Sequence, residues 1–215
     1  MRVKINFDSS IDCESLYQGD FDLIVNGFNG DLTIKYAKEL NGETNSLKNF
    51  CKLSEKYDKT IITAFDTDNY GIIKHSAGIF DGGKLLGITD MKVAYHDNGY
   101  MPGFGGCLYD AKNTKIAIAI GDDVYSFGLF KSFAVCGAEI TIAVCKQSKK
   151  EINSILIRAY SYLLGMPTIL LFNGGAYLSD IDGNLTVAEK GSENVFEVKP
   201  YAEYILKTTK IRLNK

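Results

Sequence analysis

Short apolar runs rich in β-branched residues recur along this chain, and they constrain its fold more than any other feature. A run of five to seven such residues without polar alternation is typical of a strand buried on both faces. Segments with helical periodicity separate several of the runs, so we predict a mixed α/β fold in which helices cover the sheets. The apolar runs are 21–25, 60–65, 116–120, 139–145 and 168–172.

Helix, hairpin and strand signals fill the intervals between these runs. The spacing of apolar residues predicts helices over 45–57 and 126–135, and a third helix after Ser148. Ser148 and Glu151 have the spacing of a capping box, in which two side chains satisfy N–H groups at the helix start. Glycine-containing turns predict two hairpins, and alternation predicts an N-terminal strand. The turns are Asp81-Gly82-Gly83 and Asp182-Gly183-Asn184, and the alternating strand is 1–7.

Length and composition narrow the function classes. A chain of 215 residues with 46% hydrophobic residues suits a single domain over residues 1–215 with a sizeable core. A formal net charge of -2 argues against nucleic-acid binding through bulk charge. No apolar stretch approaches the roughly 20 residues that span a bilayer, and residues 1–7 do not resemble a signal peptide, so we expect a cytoplasmic protein without a membrane partner.

The cysteines and histidines give no metal or cofactor signal. Five cysteines are widely scattered and form no CxxC pair, and the chain has two histidines. An odd, dispersed set of thiols indicates free cysteines rather than a disulfide framework or a zinc site. We therefore expect no metal and no cofactor.

Gly121 ends the apolar run 116–120, and acidic residues and a helix-like segment follow it. Enzymes often place a nucleophile at such a strand-to-helix elbow, where its side chain is exposed near backbone N–H donors. Glycine provides no side chain there. Without further information, Gly121 is a turn residue that accepts a positive φ at no steric cost.

The order of segments resembles the nitrilase, or carbon–nitrogen hydrolase, superfamily. Four stretches carry the resemblance over about residues 20–200, and no single motif among them is decisive. It implies a four-layer α-β-β-α sandwich, here with a shortened N-terminal helix region because only about a dozen residues separate the first two strands. The stretches are 22–28; the hairpin 78–92; 118–125 with 136–140; and Arg158-Ala159, Asn173-Gly174-Gly175 and Asp182-Gly183.

The resemblance also assigns positions in a reaction that uses a glutamate base, a cysteine nucleophile and a lysine that stabilises the intermediate. Carried over by position, Lys92 is the family lysine. Phe28 stands at the glutamate position, within one or two residues, and Gly121 stands at the cysteine position. Asp123 matches the acidic residue that follows the nucleophile by two. The resemblance therefore implies a degenerate member that has lost the family reaction.

Alternatives remain open at several of these residues. Asp122 or Asp123 could act as a base that activates water in a rearranged hydrolase, or could cap the next helix. Tyr125 could line a pocket or pack in the core, and Tyr100 could belong to a pocket rim or a surface loop. A retained Lys92 could bind a small carboxylate or amide. The resemblance also implies a homodimer that pairs through helix faces.

Overall fold

Two β-sheets form the centre of the structure. The computed structural model describes residues 1–7, 14–28, 32–95, 99–104, 108–146, 150–190 and 194–201. The first sheet has the strand order β13-β1-β2-β4-β5-β6, with β3 paired to the outer half of β4. Strands β1, β2 and β4 run parallel, while β4, β5 and β6 form an antiparallel meander. Its strands are β1 Arg2–Asn6, β2 Leu23–Asn26, β3 Thr33–Lys35, β4 Thr60–Asn69, β5 Ile72–Asp81, β6 Lys84–Asp90 and β13 Val195–Glu197.

The second sheet has the strand order β12-β11-β10-β9-β8-β7. Its central strands β8, β9 and β10 are parallel, so their carboxyl ends meet at one edge of the sheet. The outer strands join by antiparallel pairing. The strands are β7 Leu108–Ala111, β8 Thr114–Ile120, β9 Ile140–Val144, β10 Thr168–Phe172, β11 Gly175–Ser179 and β12 Leu185–Glu189.

Helices cover the outer faces of both sheets, which gives four layers. Helix α2 packs on the first sheet, and α3 and α4 pack on the second. The inner faces of the two sheets meet in a core built largely from isoleucine, valine, leucine and alanine. None of the helices among the described residues is long and apolar enough to cross a membrane. The helices are α1 Tyr36–Leu40, α2 Ser46–Tyr57, α3 Phe127–Val135 and α4 Lys150–Leu164.

The structure has strands, helices and hairpins at the positions predicted from the sequence, and their ends differ from the predicted ends by a few residues. Ser126 caps α3 by accepting a hydrogen bond from the Leu129 N–H. Ser148 of the expected capping box lies outside the described residues. Between β1 and β2 the described residues form one turn of 3-10 helix, Glu14–Tyr17, in agreement with a shortened N-terminal helix region.

The structure adds elements that the sequence did not indicate. Strand β4 continues beyond its apolar run to Asn69 and forms a long hairpin with β5. Asp66, Thr67 and Asp68 interrupt the apolar pattern in this extension, where the buried Thr67 hydroxyl hydrogen-bonds to that of Ser76 at 3.2 Å. Strands β3, β7 and β13 are only three or four residues long, too short for periodicity to reveal them.

Candidate functional site

A small cavity lies where the carboxyl ends of parallel strands from both sheets converge. It is bounded by the ends of β1 and β2 in the first sheet and of β9 and β10 in the second. Ligands of α/β proteins typically bind outside the carboxyl ends of parallel strands. The cavity has a volume of about 20 Å³, enough for one water molecule. Its lining includes Asn6, Phe28, Cys145, Lys146, Phe172 and Asn173.

A polar cluster of Asp66, His75, Tyr100 and Lys146 lies beside this cavity. Asp66 on β4 and His75 on β5 are directly opposite in the antiparallel register, which brings Asp66 Oδ1 to 2.6 Å from His75 Nδ1. The Tyr100 ring stacks on the His75 ring with their centres 3.6 Å apart. The Tyr100 hydroxyl donates to Asp66 Oδ2 at 3.3 Å.

Lys146 follows the end of β9 and extends its ammonium into this cluster from the second sheet. Its Nζ lies 3.3 Å from Asp66 Oδ2 and 3.5 Å from the Tyr100 hydroxyl. The cluster therefore joins the two sheets at their carboxyl ends through polar contacts instead of apolar packing.

The contacts within the cluster keep Asp66 and Lys146 in their charged forms. Burial favours a higher pKa for Asp66, but the hydrogen bond and charge of His75 and the charge of Lys146 outweigh it, and the pKa is lowered. Burial favours a lower pKa for Lys146, but Asp66 and Tyr100 outweigh it, and the pKa is raised. Asp66 is thus a carboxylate and Lys146 an ammonium at neutral pH, so neither is a neutral nucleophile or a poised proton carrier.

Phe28 places an apolar ring at the position that the resemblance assigns to a glutamate base. It is half-buried two residues beyond the end of β2. Its ring meets the His75 ring edge-on with the centres 5.0 Å apart, and the Lys146 Nζ lies 5.9 Å from its centre. His75 is only 1% exposed between the rings of Phe28 and Tyr100, so its imidazole is covered.

Gly121 begins a 3-10 turn, Gly121–Tyr125, directly after β8. Its φ of +55° lies in the left-handed region that favours glycine, as expected for a sharp elbow. Asp123 fixes this turn. Its Oδ1 accepts hydrogen bonds from the backbone N–H groups of Lys92 and Val93 at 2.8 and 3.0 Å, and its Oδ2 accepts from the Ile120 N–H at 3.1 Å.

Asp122 and Asp123 are both occupied by backbone contacts. Asp122 Oδ2 accepts from the Tyr95 N–H at 2.7 Å. Asp123 is fully buried, and burial raises its pKa to about 6 although three backbone N–H groups and the charge of Lys92 act in the opposite direction. The two carboxylates attach the segment after β6 to the elbow after β8.

Lys92 lies beside Asp123 and contributes its backbone N–H to that carboxylate. The neighbouring Met91 side chain is fully buried in the core between the sheets. The lysine whose ammonium lies beside Phe28 is Lys146, from the other sheet.

Tyr125 and Tyr100 lie on opposite faces of the second sheet. Tyr125 packs with the cluster between that sheet and its helices, while Tyr100 packs against the core between the sheets. Cys145 also belongs to the helix side, and its thiol donates to the Gly121 carbonyl oxygen at 3.3 Å. Burial raises the pKa of Tyr125, and the proximity of Cys145 and Asp122 adds to the rise.

Of the sequence candidates, the structure thus brings Phe28 and Tyr100 into one site and gathers Gly121, Asp122, Asp123 and Lys92 at the elbow. Sequence reasoning missed Asp66, His75 and Lys146. Asp66 directly follows the apolar run 60–65, which is a detectable signal, whereas His75 lies outside the apolar runs and Lys146 follows its strand like any surface lysine. Among the described residues, no three His, Cys, Asp or Glu side chains are grouped so that they could hold a metal ion.

Solved structures share this arrangement of layers over nearly the whole chain. A carbon–nitrogen hydrolase from Helicobacter pylori G27 matches with a TM-score of 0.71, covering 91% of this chain and 87% of its own, at 15% identity. Nit3 of Saccharomyces cerevisiae, a member of branch 10 of the nitrilase superfamily, matches with a TM-score of 0.73, covering 91% and 88%, at 16% identity. The chain has the nitrilase fold.

A third nitrilase-fold structure, the NitN amidase from Nesterenkonia sp. AN1, matches with a TM-score of 0.71 over 93% of each chain at 12% identity. No protein-family model and no curated protein sequence matches the chain. The nitrilase fold therefore rests on three-dimensional similarity, at identities that carry the architecture alone.

Proposed function

We propose that this protein is a degenerate nitrilase-fold protein that does not perform Cys-dependent hydrolysis of amides or nitriles and acts as a homodimeric scaffold. The observation that carries the proposal is Gly121. The elbow after β8 keeps its sharp turn and its aspartate tether, but it offers no nucleophilic side chain.

The surroundings of the elbow support the same conclusion. Phe28 offers no proton acceptor at the position of the base, and the cavity of about 20 Å³ is far smaller than the several hundred Å³ of a typical ligand pocket. The Cys145 thiol is directed at the Gly121 carbonyl on the helix side of the sheet. Loss of a nucleophile alone lowers kcat by roughly a million-fold in a comparable acyl-transfer triad.

The rearranged-hydrolase alternative would use Asp122 or Asp123 as a base. A pKa of about 6 suits a general base, but both oxygens of Asp123 already accept backbone hydrogen bonds and the residue is fully buried. Asp122 is also mostly buried and accepts from Tyr95. These contacts favour a structural role for both carboxylates.

An assay with a panel of nitriles, amides and carbamoyl compounds tests the loss of chemistry. We expect wild-type protein to form no more product than a Lys92→Ala or Lys146→Ala variant. Product formation well above both variants would contradict the proposal. If such an activity also disappeared in Asp122→Asn or Asp123→Asn, the rearranged hydrolase would be the better description.

The scaffold part of the proposal comes from α4, which is apolar on two faces. Ile157, Tyr160 and Leu164 are buried against the second sheet. The opposite face exposes Ile155 by 62% and Tyr162 by 67%, together with Ile152 and Leu163. Exposed apolar side chains grouped on one surface typically mark a protein–protein contact, and a second copy of the chain would cover this face in a symmetric, isologous contact.

Light scattering on the purified protein tests the dimer. We expect a dimeric mass for wild type and a shift toward monomer for Ile155→Asp. Leu40→Asp is the matched control, because Leu40 is equally apolar and 86% exposed but lies on α1. A strictly monomeric wild type at high concentration would count against the scaffold.

A further inference from the structure

A larger cavity lies at the opposite end of the sandwich from Phe28, where the parallel strands begin. Pro167, directly before β10, borders this cavity, whereas the carboxyl end of β10 borders the small cavity beside Phe28. Its volume is about 400 Å³, within the range of roughly 300–1,000 Å³ of small-molecule sites. We propose that it binds a small organic amine, with the hydrocarbon part on an apolar floor and the ammonium at an acidic rim.

The floor of this cavity is apolar. Leu178 in β11 and Val198 after β13 line it and are 7% and 5% exposed. Pro167 is buried beside them, and Ile181, in the turn between β11 and β12, is half-buried. A compact hydrocarbon group placed on these side chains removes apolar surface from water, which favours binding.

The rim of the cavity carries a net negative charge. Among the described residues that line it, Asp180, Asp182 and Glu197 are acidic and Lys199 is basic. Asp182 is exposed, and the Glu197 carboxylate, on a side chain that is 84% exposed, lies 3.8 Å from the Arg2 Nε. That contact is longer than the 2.7–2.9 Å of a charge-assisted hydrogen bond, so Glu197 is open to a second cation. The rim therefore favours a cationic ligand over an anion of the same shape.

Hydrogen bonds hold both walls of the cavity in place. Asp180 Oδ1 accepts from the backbone N–H groups of Asp182 at 3.0 Å and Asn184 at 2.8 Å, which fixes the turn on one side. On the other side the Tyr201 N–H donates to the Glu139 carbonyl oxygen at 2.9 Å. Tyr201 also lines the cavity, and an aromatic ring attracts an ammonium placed over its face.

These features together define a monoamine with one compact hydrocarbon group. Lys199 at the rim and Arg2 beside Glu197 would repel a second positive charge on the ligand. The site is separate from the elbow at Gly121, so binding there goes beyond the proposed function and does not depend on the loss of hydrolysis.

Calorimetric titration of the full chain with phenethylamine at neutral pH tests the site. Phenethyl alcohol is the neutral match in shape, hydrocinnamate is the anionic match, and ionic strength is held constant with sodium chloride. We expect saturable binding of the amine, with the alcohol binding at least about threefold and the acid at least about tenfold more weakly. No saturable binding of the amine, or equal affinity for amine and acid, would overturn the proposal.

Variants assign the binding to the rim and the floor. Asp182→Asn combined with Glu197→Gln is expected to weaken amine binding at least about threefold without weakening hydrocinnamate binding, and Asp182→Asn alone serves if the pair unfolds. Ile181→Ser is expected to weaken all three ligands to a similar degree. Asp110→Asn, on the exposed side of β7, is the matched control and should change the amine affinity less than about twofold. Unchanged amine affinity in the folded rim variant or the folded floor variant would overturn the proposal.

Discussion

The Nζ of Lys146 lies 5.9 Å from the centre of the Phe28 ring, although 118 positions separate the two residues in the chain. Lys146 follows a strand of one sheet and Phe28 follows a strand of the other. A cation thus faces an aromatic ring at the position where the resemblance would put a carboxylate. The contact brings the carboxyl ends of the two sheets together through a cation and an aromatic ring.

Gly121→Ala is expected to destabilise the protein because it places an L-residue at a positive φ. A φ of +55° costs an L-residue roughly 1 kcal/mol relative to glycine, so the free energy of unfolding should fall by about that amount. Urea unfolding measures the change. The control is Gly128→Ala in α3, where an added Cβ meets no atom within 4 Å and alanine favours the helix. That variant should unfold no earlier than wild type, and equal losses in both would contradict the strained elbow.

Asp123 should make the protein less stable as the pH rises from 4.5 to 6.5. Its pKa is about 6 in the folded state against 3.8 without the fold, so the native state binds more protons in this window and the free energy of unfolding falls as they leave. The difference between 3.8 and about 6 corresponds to about 3 kcal/mol at 1.36 kcal/mol per pKa unit, and about 2 kcal/mol of it falls within this pH window.

Urea unfolding of Asp123→Asn across the same pH range checks this slope. The variant is expected to be less stable overall because it alters three backbone hydrogen bonds, but its pH slope should be smaller than that of wild type. Asp110→Asn, on the exposed face of β7, should keep the wild-type slope. An unchanged slope in Asp123→Asn would show that another group titrates.

Lys146 should react slowly with an acylating reagent and react faster once Asp66 loses its charge. The raised pKa keeps the amine protonated, and in Asp66→Asn the effect of burial, which lowers the pKa, is no longer outweighed by the Asp66 charge. We expect modification at pH 8 to accelerate several-fold in that variant. Mass spectrometry of peptides measures it, with Lys131 as the internal reference. Equal rates before and after the substitution would rule out Asp66 as the controlling charge.

The two faces of α4 should respond differently to truncation. Ile157→Ala removes a fully buried side chain and is expected to cost about 2–4 kcal/mol in dilute protein. Ile155→Ala removes an exposed one and should cost less than about 0.5 kcal/mol at the same concentration. Thermal and urea unfolding compare them, and a similar cost at both positions would mean that the outward face is packed within the monomer.

Much of the architecture could be predicted because strands, helices and hairpins leave local patterns. The run 116–120 and the helix after it follow from spacing alone, and Gly121 at their junction follows from the steric freedom of glycine. The four layers required the resemblance, since no local pattern specifies which sheet faces which.

The polar cluster could not be predicted because it depends on how distant strands align. Asp66 meets His75 through the register of β4 and β5, and Lys146 reaches both only because the two sheets stack. Lys92 illustrates the same limit within one segment. Met91 next to it is buried in the core, which no local pattern in the sequence predicts.

The tether made by Asp123 has a consequence for finding related chains. Asp123 holds the turn through three backbone N–H groups, and glycine at position 121 supplies the positive φ that the turn needs. A database query that demands a cysteine there would pass over such proteins. A strand-ending glycine followed two residues later by aspartate, with a lysine just beyond the next parallel strand, is the pattern that describes this chain.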